Sequence, residues 1–268
     1  MKGEIELEEQ ARKQAEAEFH DTRERDRAVL SDDEFESRYS NKKFYSVVRS
    51  SSAYLANWIA ERSKGAVVLD YCCGLGGVSL QIAQAGGYVH GFDISEESVL
   101  TARRTLAEHG LGDHGSFMVT DAERLSFGDR TFDVIVVSGV LHHLDMDRAY
   151  PELARVLRPG GSILCMEALG YNPVINLYRR RTPHLRTAWE AEHILTLREV
   201  DKAGAYFGRV DVRFFHLATI AAVLLRRTPL FSPVLRVLER VDRVILKVPY
   251  LQRMAWQMFF ELREPRSI

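Results

Sequence analysis

The sequence predicts an α/β fold, a mostly parallel sheet wound by helices, with a helical segment before it and a helical addition after it. Two observations carry that expectation. Short apolar runs near 66–70, 88–93, 115–120, 132–138 and 161–167 alternate with helical patterns near 77–85, 95–109 and 146–157, the rhythm of strand–helix–strand units. The first run, Val67-Val68-Leu69-Asp70, breaks into the glycine-rich turn Tyr71-Cys72-Cys73-Gly74-Leu75-Gly76-Gly77, and the second ends in another acid, Asp93. Glycines between a strand and a helix let backbone approach a ligand closely.

The flanks follow in order. Residues 4 to about 28 alternate charges with alanines, which predicts a solvated helix without a chemical role. From Asp32 to Glu61, Phe35, Tyr39, Phe44, Tyr45, Tyr54 and Trp58 stand at spacings that line a helical face, a pattern commoner in cores than in ligand sites. Ser95 reads as an N-cap, with Glu97 adding negative charge to the first turn of a helix that ends at Gly110. After Glu167 the pattern changes. Gly170 to His193 reads as an insertion carrying Arg179, Arg180, Arg181 and Arg186; Ile194–Ala203 reads as a helix, Gly208–Phe215 as a strand and Trp256–Leu262 as a closing strand. Between the last two, Leu217–Pro249 exceeds ordinary loop length and reads as a helical addition. Its charges interrupt it too often for a membrane span. The expected division is 1–60, 61–168 and 169–268.

Composition sets bounds. A chain of 268 residues, 46% hydrophobic, holds one large domain or one domain with additions. The formal charge of −1 gives no global pull toward nucleic acid or anionic membrane. Three cysteines, Cys72 and Cys73 adjacent, make neither a disulfide framework nor a metal spacing. A cytoplasmic location is expected, because Lys2 through Arg27 lacks the apolar core of a signal peptide.

Asp93, at the tip of the second strand, is placed to accept hydrogen bonds from ribose hydroxyls. A nicotinamide dinucleotide fold prefers G-x-G-x-x-G, and a carboxylate beside a pyrophosphate repels it, whereas Asp70 attracts the ammonium of an amino-acid ligand. At Leu69, Asp70, Cys73, Gly74 and Gly76 the chain resembles the class I S-adenosylmethionine-dependent methyltransferases. Cys72 departs from that pattern, standing where the family usually has glycine; a positive φ there strains the backbone. Three further segments match in order: Val89-His90-Gly91-Phe92-Asp93-Ile94-Ser95; Val119-Thr120-Asp121-Ala122-Glu123; and Phe132 through Ser138 with Gly139-Val140-Leu141-His142-His143-Leu144, followed by Leu157-Arg158-Pro159-Gly160-Gly161. Together they cover roughly 66 to 167.

The resemblance implies a Rossmann-like, seven-stranded, mostly parallel sheet with helices on both faces, an antiparallel hairpin at one edge, a helical lid at the N-terminus and S-adenosyl-L-methionine as co-substrate. Asp70, Cys72, Gly74, Gly76, Asp93, Ile94, Asp121, Ala122 and Ser138 are then cofactor residues, and Tyr39 and Tyr45 are lid candidates, Tyr45 toward the cofactor. His142 and His143 follow the fourth strand, where a histidine is placed to take a proton from an acceptor hydroxyl; packing against the cofactor is the plainer alternative. Glu192 and His193 form a second candidate pair, His193 as base, against a loop-bracing role. No ligand spacing supports a metal at His142, His143, His184 and His193. The insertion arginines match a carboxylate or phosphate on the acceptor, or form a solvated loop.

The expected activity is methyl transfer to a small, fairly apolar molecule, at oxygen, with carbon or nitrogen as near alternatives. Nucleic-acid methylation would ask for a basic track that the chain lacks. A cofactor-binding protein without catalysis is raised by Cys72, and a dinucleotide oxidoreductase is the remotest reading. The expected partner is the small acceptor, with no nucleic acid and no transmembrane segment; a homodimer is left open.

Overall fold

Strands that are apolar along their whole length need cover on both faces, and the first, second and fourth runs obtain it as the inner strands of one sheet. The computed structural model describes residues 2–39, 42–187, 189 and 193–266. Its strands are β1 (Val67–Tyr71), β2 (Tyr88–Asp93), β3 (Gly115–Val119), β4 (Phe132–Ser138), β5 (Leu157–Ala168), β6 (Phe207–Phe215) and β7 (Gln257–Pro265), in the order β3-β2-β1-β4-β5-β7-β6. The first five are parallel, and β7 runs antiparallel to both β5 and β6. Strand order reverses between β1 and β4, so a crevice opens at their carboxyl ends.

The helices are α1 (Lys2–Val29), α2 (Asp32–Tyr39), α3 (Lys42–Tyr45), α4 (Arg49–Arg62), α5 (Gly77–Gln84), α6 (Glu96–Glu108), α7 (Met146–Val156), α8 (Pro173–Arg181), α9 (Leu197–Lys202), α10 (Phe231–Ile245) and α11 (Pro249–Gln252). Alternate strand residues feed two cores. Leu69, Tyr71, Phe92, Ile135 and Val137 pack with Tyr150 and Leu153 of α7. Val68, Val89, Val134 and Val136 pack with Ile82 of α5, Val99 and Leu106 of α6 and Trp58 of α4. Ser95 caps α6 as expected, its Oγ accepting the Ser98 N–H at 3.0 Å. Gly76, at φ 80°, lies so near α6 that a Cβ would stand 2.8 Å from Ala102 Cα.

β5 begins at Leu157, ahead of the expected 161, and a register shift between Phe132 and Val134 absorbs the glycines. α1 differs more. Its alternating charges predict a solvated helix, yet Glu16 is buried and one face lies across the carboxyl ends of the strands. The charges on that face are paired with the core, while those on the opposite face stay exposed. Arg12 donates to Glu123 Oε1 and to the His143 carbonyl, both at 2.6 Å, Lys13 donates to Asp121 Oδ2 at 2.8 Å, and Asp21 accepts the Ser95 hydroxyl at 2.6 Å.

The segment after β6 folds as expected into helical structure, a 3-10 stretch at Ala218–Leu225 and then α10. Its inner residues join Phe44, Val47, Ile175 and Trp256 in a third apolar cluster. Buried His216 ties it to α4: Nε2 meets Ser51 Oγ at 2.8 Å and Nδ1 meets Thr219 Oγ1 at 3.1 Å, while Asp242 accepts the Ala218 N–H at 2.6 Å. Burial pushes the His216 pKa down to about 4, so it is neutral at physiological pH. Among the described residues no helix is long and apolar enough to cross a membrane.

Candidate active site

The crevice holds two adjoining cavities. The first, of about 240 Å³, is walled by the turns after β1, β2, β3 and β4, at Cys72–Gly74, Asp93–Ile94, Asp121–Ala122 and Ser138–Val140, and is roofed by α1. The roof residues Arg12, Glu16, His20, Arg23 and Arg27 recur every three or four positions, one face of a helix. Asp93 closes the wall. Its Oδ2 accepts the Gly74 N–H and its Oδ1 the Ser95 N–H, each at 3.0 Å, which joins the first turn to the second. Cys72 adopts φ 56°, the left-handed conformation that the missing glycine would have taken without strain. Burial raises its thiol pKa, so it has little thiolate character.

The second cavity, of about 260 Å³, lies beyond the β4 turn. Phe19, Phe44, Tyr45, Ile175, Tyr178 and Trp256 give it apolar walls, and Arg23, Arg179 and Arg186 give it cations. His142 lines this side only. Its Nδ1 lies 2.8 Å from Glu167 Oε2, and Glu167 Oε1 accepts the Val140 and Leu141 N–H groups at 2.8 and 2.7 Å. A carboxylate only accepts, so Nδ1 carries the hydrogen and Nε2 is the basic nitrogen.

His20, Arg23, Gly139 and His143 line both cavities and mark the junction. Glu16, His20 and His143 bring ligand-type atoms within 4.8 Å of one another there, a group that the sequence reading did not contain. Glu16 Oε2 lies 3.1 Å from His143 Nδ1. Burial pushes the Glu16 carboxyl up, but His143, Thr187 and His20 together outweigh it and hold the pKa below its ordinary value. Burial, reinforced by His143, holds the His20 pKa down. The buried Arg23 Nε meets no hydrogen-bond partner among the described residues.

Cys72, Gly74, Asp93, Ile94, Asp121, Ala122 and Ser138 all come together on the first cavity, and His143 joins them. Asp70 does not line it. It is buried under the turn, accepting the Ser79 hydroxyl at 2.5 Å, and burial raises its pKa to about 7. Gly76 packs against α6 instead. Tyr45 lines the second cavity rather than the first, as does Tyr39. His193 is exposed and lines neither; it stacks on Trp189, four residues back, at 3.6 Å, and Glu192 lies outside the described residues. His184 is also exposed. Arg179 and Arg186 line the second cavity, whereas Arg180 and Arg181 point to solvent. The roof of α1 was missed, although the spacing 12, 16, 20, 23, 27 was visible in the sequence.

Residues 68–161 match a family model described as a methyltransferase domain. A ubiquinone/menaquinone biosynthesis C-methyltransferase of Hahella chejuensis is 35% identical over 117 residues, 42% of this chain and 47% of its own. A sterol 4-C-methyltransferase of Caenorhabditis elegans is 28% identical over 136 residues, 50% of this chain and 40% of its own. The chain thus spans under half the length of these curated relatives. Among solved structures, the phosphoethanolamine N-methyltransferase 2 of Haemonchus contortus, with phosphomonomethylethanolamine and S-adenosylhomocysteine bound, superposes with a TM-score of 0.60 at 17% identity, over 84% of this chain and 56% of its own. The [4+2]-cyclase SpnF superposes at 0.54 and 21% identity, over 80% and 82%. These likenesses establish the fold.

Proposed function

We propose, because this chain carries a class I S-adenosylmethionine-dependent methyltransferase domain, that it methylates a small, largely apolar acceptor held in the second cavity. The observation that carries the proposal is the pairing of two cavities across Gly139 and His143, one built of strand-end turns and the other of aromatic side chains. S-adenosylmethionine supplies an electrophilic methyl group on a sulfonium. The residues present suit it: Asp93 for the ribose hydroxyls, Asp121 and the backbone at Ala122 for the adenine, and the Cys72–Gly74 turn beside the amino-acid end. Arg23, whose buried Nε meets no partner among the described residues, is assigned to the methionine carboxylate. Lys13 already holds Asp121, so α1 closes the adenine end.

His142 is the proposed base, with Glu167 fixing its tautomer. The acceptor hydroxyl gives its proton to Nε2 as its oxygen forms the bond to the methyl carbon, and the carbon–sulfur bond breaks with its electrons left on sulfur. The walls of the cavity align the two partners and exclude water. Arg179 and Arg186 favour an acceptor that carries an acidic group at one end. Methylation at carbon is the second reading, favoured by the names of the relatives; the same base would then ionise a hydroxylated ring whose carbon attacks.

Incubation of the purified chain with methyl-labelled cofactor and apolar hydroxylated acceptors, with the labelled position read by NMR, tests both readings. Label on oxygen supports the first and label on carbon the second. Calorimetry that registers no heat with S-adenosylmethionine or S-adenosylhomocysteine overturns both.

A further inference from the structure

We propose that the outer face of α10 is a docking surface for anionic lipid bilayers, so that the protein works at a membrane surface without spanning it. At about 100° per residue, this helix divides into three stripes. Leu235, Leu238 and Asp242 face inward, onto the third apolar cluster and the backbone at Ala218. Val237, Val241 and Val244, with Val248 just past the helix end, face outward and are 56, 38, 67 and 48% exposed. Arg236, Arg240 and Arg243, with Lys247 just past the end, form an exposed stripe directly beside the valines.

The charge is concentrated there. Between residues 217 and 253 the chain carries seven lysines and arginines, all exposed, against two acids, in a protein whose formal charge is −1. Both acids are spoken for: Glu239 pairs with Arg49, and Asp242 accepts backbone N–H groups. Exposed Tyr250 and Leu251 follow immediately.

The juxtaposition selects the occupant. An apolar stripe flanked by cations with long apolar stems matches the boundary between acyl chains and anionic headgroups, where valines enter and guanidinium groups reach phosphate. A nucleic acid would match the cations but leave the valines in water. A second copy packed face to face would cover the valines but set arginines against arginines, a repulsive arrangement. The position also suits an apolar acceptor. Beneath α10, Phe44, Ile175, Tyr178 and Trp256 belong to the same cluster and line the second cavity, so one apolar wall separates the docking face from that cavity. The surface itself does not depend on the methyltransferase reading.

The test is flotation of the full chain with vesicles of phosphatidylcholine alone and of phosphatidylcholine mixed with phosphatidylglycerol, at low and high salt. Two variants are compared, R236A/R240A/R243A and V241D/V244D. All five side chains are exposed and line neither active-site cavity, and circular dichroism and S-adenosylmethionine binding serve as fold controls. The expected result is binding to the anionic vesicles only, weakened by salt and lost in the aspartate variant. In the alanine variant the affinity falls about a hundredfold, each cation near an anionic surface being worth roughly fivefold. Folded protein that leaves anionic vesicles unbound, or variants that bind them as the wild type does, overturns the proposal. So does a dimer seen by light scattering without lipid that V241D/V244D converts to monomer, or binding to RNA that persists in the absence of vesicle binding.

Discussion

The two cavities share four residues and are built in opposite ways. The first is made by four turns at the ends of parallel strands, and its shape is set by backbone and by short acids bonded to backbone, as Asp93 is to Gly74 and Ser95. The second is assembled from α1, α3, α8, the β4 turn and the start of β7, and its shape is set by rings and guanidinium groups. A wall of backbone is constrained by the sheet and suits a ligand that never changes. A wall of side chains can be remodelled without disturbing the strands. The family model fits this division, since the segment it matches, 68–161, carries the four strand-end turns of the first cavity.

The comparison breaks most visibly if a substitution on one side is felt on the other. His142→Ala should lower the single-turnover rate of methyl transfer by roughly 10² to 10⁴, the usual worth of a general base, with the dissociation constant of S-adenosylmethionine unchanged by calorimetry. Glu167→Gln should move the pH profile of that single-turnover rate as well, because it alters which nitrogen of His142 is basic. An equal loss of cofactor affinity would mean that the histidine packs rather than catalyses.

Asp70 sharpens the contrast. Its folded pKa of about 7 lies above the unfolded value of 3.8, so the folded chain holds this proton where the unfolded chain has released it. The stabilisation is complete below pH 3.8 and is lost as pH rises toward 7, a fall of about 4 kcal/mol at 1.36 kcal/mol per unit. Thermal unfolding from pH 4 to 8 should show this slope in the wild type, and Asp70→Asn, which retains an acceptor for Ser79, should flatten it.

Asp93→Ala removes the acceptor for two N–H groups and a proposed ribose contact. Cofactor affinity should fall about 30- to 100-fold, in line with charge-assisted hydrogen bonds. The smallest effect belongs to Cys72→Gly. It relieves a left-handed cysteine worth about 1 kcal/mol and adds freedom to the unfolded chain, so denaturant titration should show a gain of at most about 1 kcal/mol.

The first cavity was legible because its logic is local. An acid, two glycines and a strand lie within a dozen residues, and Cys72 could be marked as strained before its φ was seen. The second cavity joins Phe19 to Trp256, and no periodicity reports which distant faces meet. α1 was misread because alternating charge says that each side chain needs a partner, not whether the partner is water or Glu123. Glu192 and His193 drew attention as neighbours, although the contact that forms is Trp189 with His193, four apart. Asp70 stands at a strand end as expected, but strand alternation turns it beneath the turn, toward Ser79.

The clasp between α1 and Glu123 has a kinetic consequence. Glu123 is fully enclosed, and its cations, Arg12 and Lys13, both come from the roof helix. In the proposed reaction, lifting that helix to let a spent nucleoside depart leaves this carboxylate with the Asp145 N–H but neither cation, so the exit step climbs an electrostatic hill that bond-making at the methyl group does not. In that reaction, steady-state velocity at saturation should then report helix lifting rather than methyl transfer. Added salt, by shielding the parted ions, would quicken the cycle even as it loosens the grip on the donor.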